Sequence, residues 1–329
     1  LGNHRDDDPL GTRGLAARPA GTETERIGIV TQRLRLLETP AATAWLTARG
    51  FPYRRLPVTP DLGNQTLDRT PTAHTAAPLP QPAAVLEVTA PLPRTHALDH
   101  ELAAARCDWG WWSPSWNFAA LRLFVTDMDS TLITVECIDE IAEAVGKKAE
   151  VARITEAAME GKLDFREALT ARVALLRGLP EAALTPIFHQ SVRYTPGARE
   201  LIAALKAQGV YCLLVSGGFT HFTAPIAAEL GFDAHVANQL EVDPEGRLTG
   251  RLRGPIIDAA AKRSALQAAQ AKLGCTSDTI LAAGDGANDL LMLQEAGLRL
   301  GYRPKALLLP ALNLVSMTAG LAHPLWLCR

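Results

Sequence analysis

The stretch LRLFVTDMDSTL, residues 121–132, decides the fold. Its apolar, partly β-branched first half predicts a buried strand, which ends in a polar segment with two aspartates one residue apart. Ligands in open α/β sheets bind at the carboxyl ends of the strands, so Asp127 and Asp129 lie at a position typical of a ligand-binding or catalytic site. Paired carboxylates can act as an ionised nucleophile and a proton donor. A solvated acidic turn is the alternative interpretation of these two aspartates alone.

A second apolar run, at 210–215, also predicts a buried strand, and it leads into Ser216, Gly217 and Gly218. The glycines let the backbone approach a ligand closely, and Ser216 with the neighbouring N–H groups can hold an anion. Many strand-to-helix turns share this pattern, so the signal is weak on its own.

A third run, at 279–283, leads into GDGAND at 284–289 and brings Asp285 and Asp289 to another strand end. Residues 298–302 predict the next strand. If the strand ends converge, the carboxylates share one small volume, where two like charges about 4 Å apart repel by roughly 4 kcal/mol at an effective dielectric near 20. A proton, a divalent cation and a nearby ammonium would compensate. Oxygen ligands without His or Cys favour Mg²⁺ over zinc.

The chain from about 134 to 195 has apolar residues at helical spacing and no proline between Leu132 and Pro180, which predicts consecutive helices inserted as a cap over the strand ends. Lys262 opens a predicted helix through Leu273. A lone lysine is usually a solvated surface charge, and Lys262 has no stronger interpretation from spacing alone.

Composition limits the partners. The chain has 329 residues and a formal net charge of -2, with no basic stripe to neutralise phosphates, so we predict no nucleic-acid partner. The start has no signal-peptide pattern and the five cysteines have no paired spacing, which favours a cytoplasmic location. The uncharged stretch 306–328 has nearly the length of a membrane span, but polar residues and prolines interrupt it. We predict no membrane association, and a final helix and strand that cover the sheet.

The N-terminal region is the least informative. Residues 1 to about 82 are rich in Pro, Thr, Arg and Ala, which predicts partial disorder. Short periodic segments at 41–46, 83–88 and 98–106 predict a small α+β unit over about 25–118. Four tryptophans precede the strand predicted before Asp127, and packing between domains is favoured over a stacking surface for them. They are Trp109, Trp111, Trp112 and Trp116.

The segment DMDST at 127–131 resembles the first motif of the haloacid dehalogenase-like phosphatases, whose DxDxT loop forms an aspartyl-phosphate. Residues 216–218, Lys262 and GDGAND resemble the second, third and fourth motifs. The resemblance implies an α/β fold with a Rossmann-like parallel sheet core and an inserted helical cap, preceded by a small, partly disordered α+β N-terminal region. The expected division is an N-terminal region at 1–118, a phosphatase domain at 119–322 with its cap at about 134–195, and a tail at 323–329. Relatives of the phosphatase domain often have a regulatory type of domain in front, but no motif in 1–118 supports one, so this assignment is left open.

The resemblance extends through the cap. Residues 127–142, 157–165 and 171–176 are similar to the phosphoserine phosphatase family. This similarity implies Mg²⁺-dependent hydrolysis of O-phosphoserine, the last step of serine biosynthesis. It implies the following roles. The catalytic residues are Asp127, Asp129 and Lys262. In the substrate pocket Glu136 receives the ammonium and Arg172 the carboxylate, Met159 and Phe165 form the wall, and the remaining residues are Ser216, Gly217, Gly218 and Asn288. Mg²⁺ is bound by the carboxylates of Asp127 and Asp285 and the backbone carbonyl of Asp129, with support from Asp289 and Asn288.

Alternatives stay open at this point. A phosphotransferase, or a phosphatase for another small phosphomonoester, would share all four motifs. An amino-acid or phosphate-binding protein with a retained pocket is the non-enzymatic alternative. An assembly into a homodimer is left open.

Overall fold

The computed structural model describes residues 32–58, 82–113, 116–159 and 162–328. Most of the chain for which we predicted disorder, at 1–31 and 59–81, lies outside the described residues. The residues from Gln32 onwards contact one another as one compact unit. The division at 118 and 322 therefore stays a prediction.

Eleven described strands form one sheet. In chain order they are β1 Arg33–Leu37, β2 Tyr53–Pro57, β3 Ala84–Val88, β4 Trp109–Trp112, β5 Leu123–Thr126, β6 Tyr211–Phe219, β7 Ala234–Val242, β8 Leu248–Arg253, β9 Ile280–Gly284, β10 Leu298–Tyr302 and β11 Leu314–Ser316. Their order across the sheet is β2-β3-β1-β4-β11-β10-β9-β5-β6-β7-β8.

The described chain also forms eleven α-helices. They are α1 Pro40–Arg49, α2 His96–Ala104, α3 Cys137–Ala144, α4 Lys148–Met159, α5 Phe165–Ala174, α6 Leu184–Ser191, α7 Ala198–Ala207, α8 Thr220–Leu230, α9 Ala259–Leu273, α10 Leu290–Leu293 and α11 His323–Leu327. None of these described helices combines the length and the apolarity needed to cross a bilayer.

The centre of the sheet is parallel. Strand β5 pairs in parallel with β6 on one side and β9 on the other, and the register sets Thr126 beside Leu214 and Ala283. All four residues of β5 are buried, because the sheet is covered on both faces. Parallel pairing brings the carboxyl ends of β5, β6 and β9 to the same edge. The predicted parallel α/β core is confirmed.

The N-terminal module, residues 33–112, follows the order β1-α1-β2-β3-α2-β4, and its strands pair only antiparallel with one another. This is the βαββαβ arrangement of ferredoxin-like folds. Strand β4 also pairs antiparallel with β11, so the module continues the main sheet. Three of the four predicted packing tryptophans lie in β4, where Trp109 and Trp111 are buried.

The cap consists of α3 to α6, inserted between β5 and α7, and the predicted helical cap is confirmed. An antiparallel bridge between Ile133 and Tyr194 closes its base. On its far side the N–H of Gly178 donates to the Leu248 carbonyl at 2.8 Å, and the N–H of Leu248 donates to the Leu179 carbonyl at 2.8 Å. The cap is thus held both at its chain connections and by β8.

The C-terminal residues complete the core. All five residues of α11 are buried, and Arg35 Nη1 of β1 donates to the Leu327 carbonyl at 3.0 Å. Residues 323–327, which we assigned to a tail, are therefore a packed helix, because their apolar side chains cover the junction of β1 and β4. The predicted final helix and strand are present as α11 and β11.

Candidate active site

The site lies at the carboxyl ends of β5, β6 and β9. Asp127 directly follows β5, and its N–H donates to the Ala283 carbonyl of β9 at 3.0 Å. Asp285 directly follows β9, and the Thr131 hydroxyl donates to its Oδ1 at 3.2 Å. The structure therefore brings the first acidic pair and the later GDGAND turn to one place, as the parallel register requires.

Lys262 is the fixed positive charge of the site. Its side chain is 0% exposed, and its Nζ lies 2.7 Å from Asp127 Oδ1 and 2.7 Å from Asp289 Oδ1. Burial alone would lower the pKa of Lys262, but the charges of Asp127 and Asp289 raise it above its usual value. The ammonium therefore stays charged. Its complete burial excludes the solvated-surface interpretation.

The helix that carries Lys262 begins earlier than predicted. Asp258 is its N-cap, with Oδ1 accepting from the Ala261 N–H at 2.9 Å, so α9 starts at Ala259 rather than at Lys262. Lys262 consequently lies in the first turn of α9. Its position follows from that of Asp258, because the cap residue fixes where the helix starts.

Asp289 organises the GDGAND turn. One of its oxygens, Oδ2, accepts from the N–H groups of Asp285 at 3.1 Å and Gly286 at 3.2 Å, while Oδ1 binds Lys262. A carbon added to Gly284 would lie 2.5 Å from Asp289 Oδ2, so the glycine makes room for this carboxylate. Asn288 lies in the same turn and is half-buried.

Asp129 is bound by the start of the cap. Its Oδ1 accepts from the N–H of Cys137, the first residue of α3, at 3.2 Å. Burial, and after it the charge of Glu136, raises the pKa of Asp129 to about 7. A carboxyl group with this pKa can give up and take back a proton near neutral pH.

The carboxylates Asp127, Asp285 and Asp289 each offer an oxygen within 4.8 Å of the others, a set that could hold a metal ion. Burial and the Asp289 charge raise the pKa of Asp127 well above its usual value, and the same two causes raise that of Asp285 to about 6. One buried ammonium does not compensate these charges. An all-oxygen donor set of this kind fits a hard divalent cation. The contribution of the Asp129 carbonyl stays a prediction.

Residues 216–218 lie within the last part of β6, which extends to Phe219 rather than ending at 215 as predicted, and Gly218 faces Asp129. Ser216, Gly217 and Gly218 are here called the SGG turn, and within it the Gly218 N–H donates to Ser216 Oγ at 2.8 Å. A carbon added to Gly218 would lie 2.7 Å from Asp129 Oδ2. Only glycine allows the backbone to come this close to the carboxylate.

The cap brings Glu136 and Phe165 close to the strand ends. Glu136 Oε1 accepts from the Ser130 hydroxyl at 2.7 Å, which ties it to the loop after β5. Burial lowers the pKa of Arg172, whereas the charges of Asp139, Glu136 and Asp129 oppose this shift. A carbon added to Gly217 would lie 3.3 Å from the Phe165 ring. Met159 ends α4, and its side chain is outside the described part of the structure.

Sequence reasoning missed Lys305 and Asn238 near the site, and it noted Thr131 only as part of the DMDST segment. Thr131 donates to Asp285, and Lys305 Nζ lies 4.0 Å from Asp285 Oδ2 on the open side of the site. Asn238 is buried and bonds to the carbonyl of Gly217. No local pattern marks Lys305 or Asn238.

Comparisons with known proteins agree with this geometry. The model of the haloacid dehalogenase-like hydrolase family matches residues 124–294. A phosphoserine phosphatase of Albidiferax ferrireducens is 46% identical over 214 residues, 64% of this chain and 90% of the relative. A crystal structure of a HAD family hydrolase from Salmonella enterica serovar Typhi has a TM-score of 0.75 and 27% identity, over 91% of this chain and 98% of that one. A phosphoserine phosphatase solved as a phospho-aspartyl intermediate analogue has a TM-score of 0.58 and 37% identity, over 62% of this chain and 97% of that one. The chain belongs to the haloacid dehalogenase-like hydrolases.

Proposed function

We propose that this chain is a Mg²⁺-dependent phosphoserine phosphatase that hydrolyses O-phosphoserine to serine and phosphate, the last step of serine biosynthesis. The observation that carries the proposal is the buried Lys262 ammonium, 2.7 Å from both Asp127 and Asp289 at the strand ends. The phosphoserine phosphatases among the related proteins support it.

In the first step a carboxylate oxygen of Asp127 attacks phosphorus in line, and the bond from phosphorus to the serine oxygen breaks. Asp129 gives its proton to the departing alkoxide, which leaves as serine. Lys262, the Ser216 hydroxyl and neighbouring backbone N–H groups stabilise the developing charge on the phosphoryl oxygens. The product of this step is a phosphoryl group on Asp127.

In the second step the ionised Asp129 takes a proton from water as the water oxygen attacks phosphorus. The bond between phosphorus and the Asp127 oxygen breaks, inorganic phosphate leaves, and both aspartates return to their first states. Asp129 thus acts as acid and then as base, for which a pKa of about 7 is suited.

We assign the metal site to the carboxylates of Asp127 and Asp285 and the carbonyl of Asp129, supported by Asp289 and Asn288. When bound there, Mg²⁺ would neutralise the crowded carboxylates and polarise a phosphoryl oxygen. The oxygens of Asp127, Asp285 and Asp289 within 4.8 Å of one another support this assignment.

The substrate's serine end would lie under the cap. Glu136 receives the ammonium and Arg172 the carboxylate, which a guanidinium binds with two parallel hydrogen bonds. Met159 and Phe165 wall the pocket, and Gly217 and Gly218 with Asn288 line its phosphate side. The proximity of Glu136 and Arg172 to Asp129 supports this orientation.

The cellular setting is also part of the proposal. We place the reaction in the cytoplasm, with a small phosphomonoester as the partner and no nucleic-acid or membrane partner. The net charge of -2 supports the absence of nucleic acid.

The test is release of inorganic phosphate from O-phosphoserine, O-phosphothreonine, O-phosphotyrosine and two sugar phosphates, each with Mg²⁺ and with a chelator. We expect the highest kcat/KM for O-phosphoserine and release only with Mg²⁺. The Asp127→Asn variant should be inactive, whereas Asp278→Asn, at an exposed position, should match the unsubstituted chain.

Three outcomes would contradict the proposal. An active Asp127→Asn variant would refute the nucleophile. Transfer of the phosphoryl group to an added alcohol in preference to water would identify a phosphotransferase. Tight binding of phosphoserine without any release would identify a binding protein.

A further inference from the structure

Asn238 connects two segments of the site through its buried side chain. It lies on β7 with 1% of its surface exposed. Its Nδ2 donates to the Gly217 carbonyl at 2.7 Å, and its Oδ1 accepts from the Ile257 N–H at 2.9 Å. One amide side chain thus joins the SGG turn to the segment in front of α9.

The first bond lies at an interruption of the sheet. The pairing between β6 and β7 shifts register between Val215 and Phe219, the interval that holds the SGG turn. In a regular sheet, hydrogen bonds between the two strands would hold this backbone. Here the side-chain amide of Asn238 binds the Gly217 carbonyl instead. The bond therefore fixes the turn where strand pairing does not.

The second bond leads to Lys262. Ile257 directly precedes Asp258, which caps α9, and the Lys262 N–H donates to the Asp258 carbonyl at 2.9 Å. A displacement of Ile257 would move the start of this helix and with it the ammonium. Asn238 therefore fixes the distance between the two groups that hold the phosphoryl oxygens, the SGG turn and Lys262.

We propose that Asn238 is a positioning residue for phosphoryl transfer, which keeps the SGG turn in register with the first turn of α9. The inference rests on the proposed function, because it assigns to these two segments the binding of the phosphoryl group. A misplacement of about 1 Å in such a site costs on the order of 100-fold in rate.

The chain offers a matched control in Asn313. It is 4% exposed, its Nδ2 donates to the Gly297 carbonyl at 2.7 Å, and its Oδ1 accepts from the Arg299 N–H at 2.7 Å. These partners lie at the start of β10, on the amino-terminal edge of the parallel strands, opposite the site. Loss of either side-chain amide removes the same two kinds of hydrogen bond, but only the bonds of Asn238 involve segments of the site.

The experiment compares Asn238→Ala and Asn238→Ser with Asn313→Ala. Each protein is assayed with Mg²⁺ on O-phosphoserine and on an aryl phosphate, with inhibition by inorganic phosphate and the melting temperature measured in parallel. Asn238→Ser, whose hydroxyl is too short to span both partners, carries the test if Asn238→Ala does not fold.

We expect both Asn238 variants to lose about 10- to 100-fold in kcat/KM, by the same factor on both esters, with inorganic phosphate inhibiting about tenfold more weakly. Asn313→Ala should lose melting temperature to a similar extent and keep its kinetics within about twofold. Folded Asn238 variants with unchanged kinetics, or an equal loss of activity in Asn313→Ala, would overturn the inference.

Failure of the proposed function gives a different result. If the unsubstituted chain hydrolyses the aryl phosphate but not O-phosphoserine, the substrate is wrong, and the effect of Asn238 is still measured on the aryl ester. If it hydrolyses neither, the reaction is wrong, and calorimetric binding of inorganic phosphate to the same variants decides whether Asn238 positions the anion site.

Discussion

Gly218→Ala should disable the proton-transfer group while leaving the fold intact. The added carbon would lie 2.7 Å from Asp129 Oδ2, 2.9 Å from Met128 Cε and 3.1 Å from Ser216 Oγ. The backbone itself accepts alanine, because Gly218 is not among the glycines with positive φ. The effect therefore comes from the contacts alone.

The size of the effect follows from these distances. A comfortable contact between heavy atoms is about 3.5 Å or more, so Asp129 or the turn must move by roughly 0.8 Å. Met128 is fully buried and Asp129 is held by the Cys137 N–H, so neither can retreat freely. A displacement approaching 1 Å predicts a loss of about 100-fold in kcat, equivalent to about 2.7 kcal/mol in the barrier. Overpacking should cost about 1–3 kcal/mol of stability.

The neighbouring Gly217→Ala serves as a comparison for kcat alone, because Gly217 and Phe165 belong to the proposed pocket and a change there should affect KM. Its added carbon meets first the Phe165 ring, at 3.3 Å, and next the Ile257 carbonyl oxygen, at 3.7 Å, so a small shift of the ring accommodates it. Steady-state kinetics on O-phosphoserine should show the large loss in kcat for Gly218→Ala only. A Gly218→Ala variant with kcat within twofold of the unsubstituted chain would refute the assigned closeness of the SGG turn to Asp129.

Two further predictions concern the pocket and the core. Arg172→Glu should raise KM for O-phosphoserine far more than KM for an aryl phosphate, because only the former carries a carboxylate; equal losses on both would argue against the pocket. His323 is fully buried, and burial lowers its pKa to about 4, so protonation opposes folding. Its stabilising contribution is complete above pH 6.5 and decreases as the pH falls towards 4, by about 2 kcal/mol at pH 5. Between pH 7 and pH 5 the unfolding free energy, measured by chemical denaturation, should therefore decrease less for His323→Phe than for the unsubstituted chain. An equal decrease in the two proteins would contradict the assignment.

The acidic cluster could be predicted from the sequence because its signals are local. Each apolar run ends directly in the residues that matter, as in the stretch before Asp127 and the run before Asp285. Parallel pairing then determines where these residues lie, since it brings the carboxyl ends of all such strands to one edge of the sheet. Strand β10 likewise has the predicted bounds, Leu298–Tyr302.

The remaining features depend on contacts between distant parts of the chain. Strand β4 was interpreted only as a tryptophan cluster, because its strand character comes from pairing with β1 and β11 rather than from alternation of polar and apolar residues. Asn238 gave no signal, since its partners are 21 and 19 residues away in sequence. A single asparagine within a strand has no pattern from which such bonds can be inferred.

The most direct test of the account is to trap the phosphorylated enzyme. Acid quenching of the chain during turnover of ³²P-labelled O-phosphoserine with Mg²⁺, followed by peptide mass spectrometry, should locate a hydroxylamine-sensitive phosphoryl group on Asp127. Asp127→Asn should give no label and no phosphate release. Sustained phosphate release by a chain that never carries label on Asp127, or label on another residue, would contradict the account.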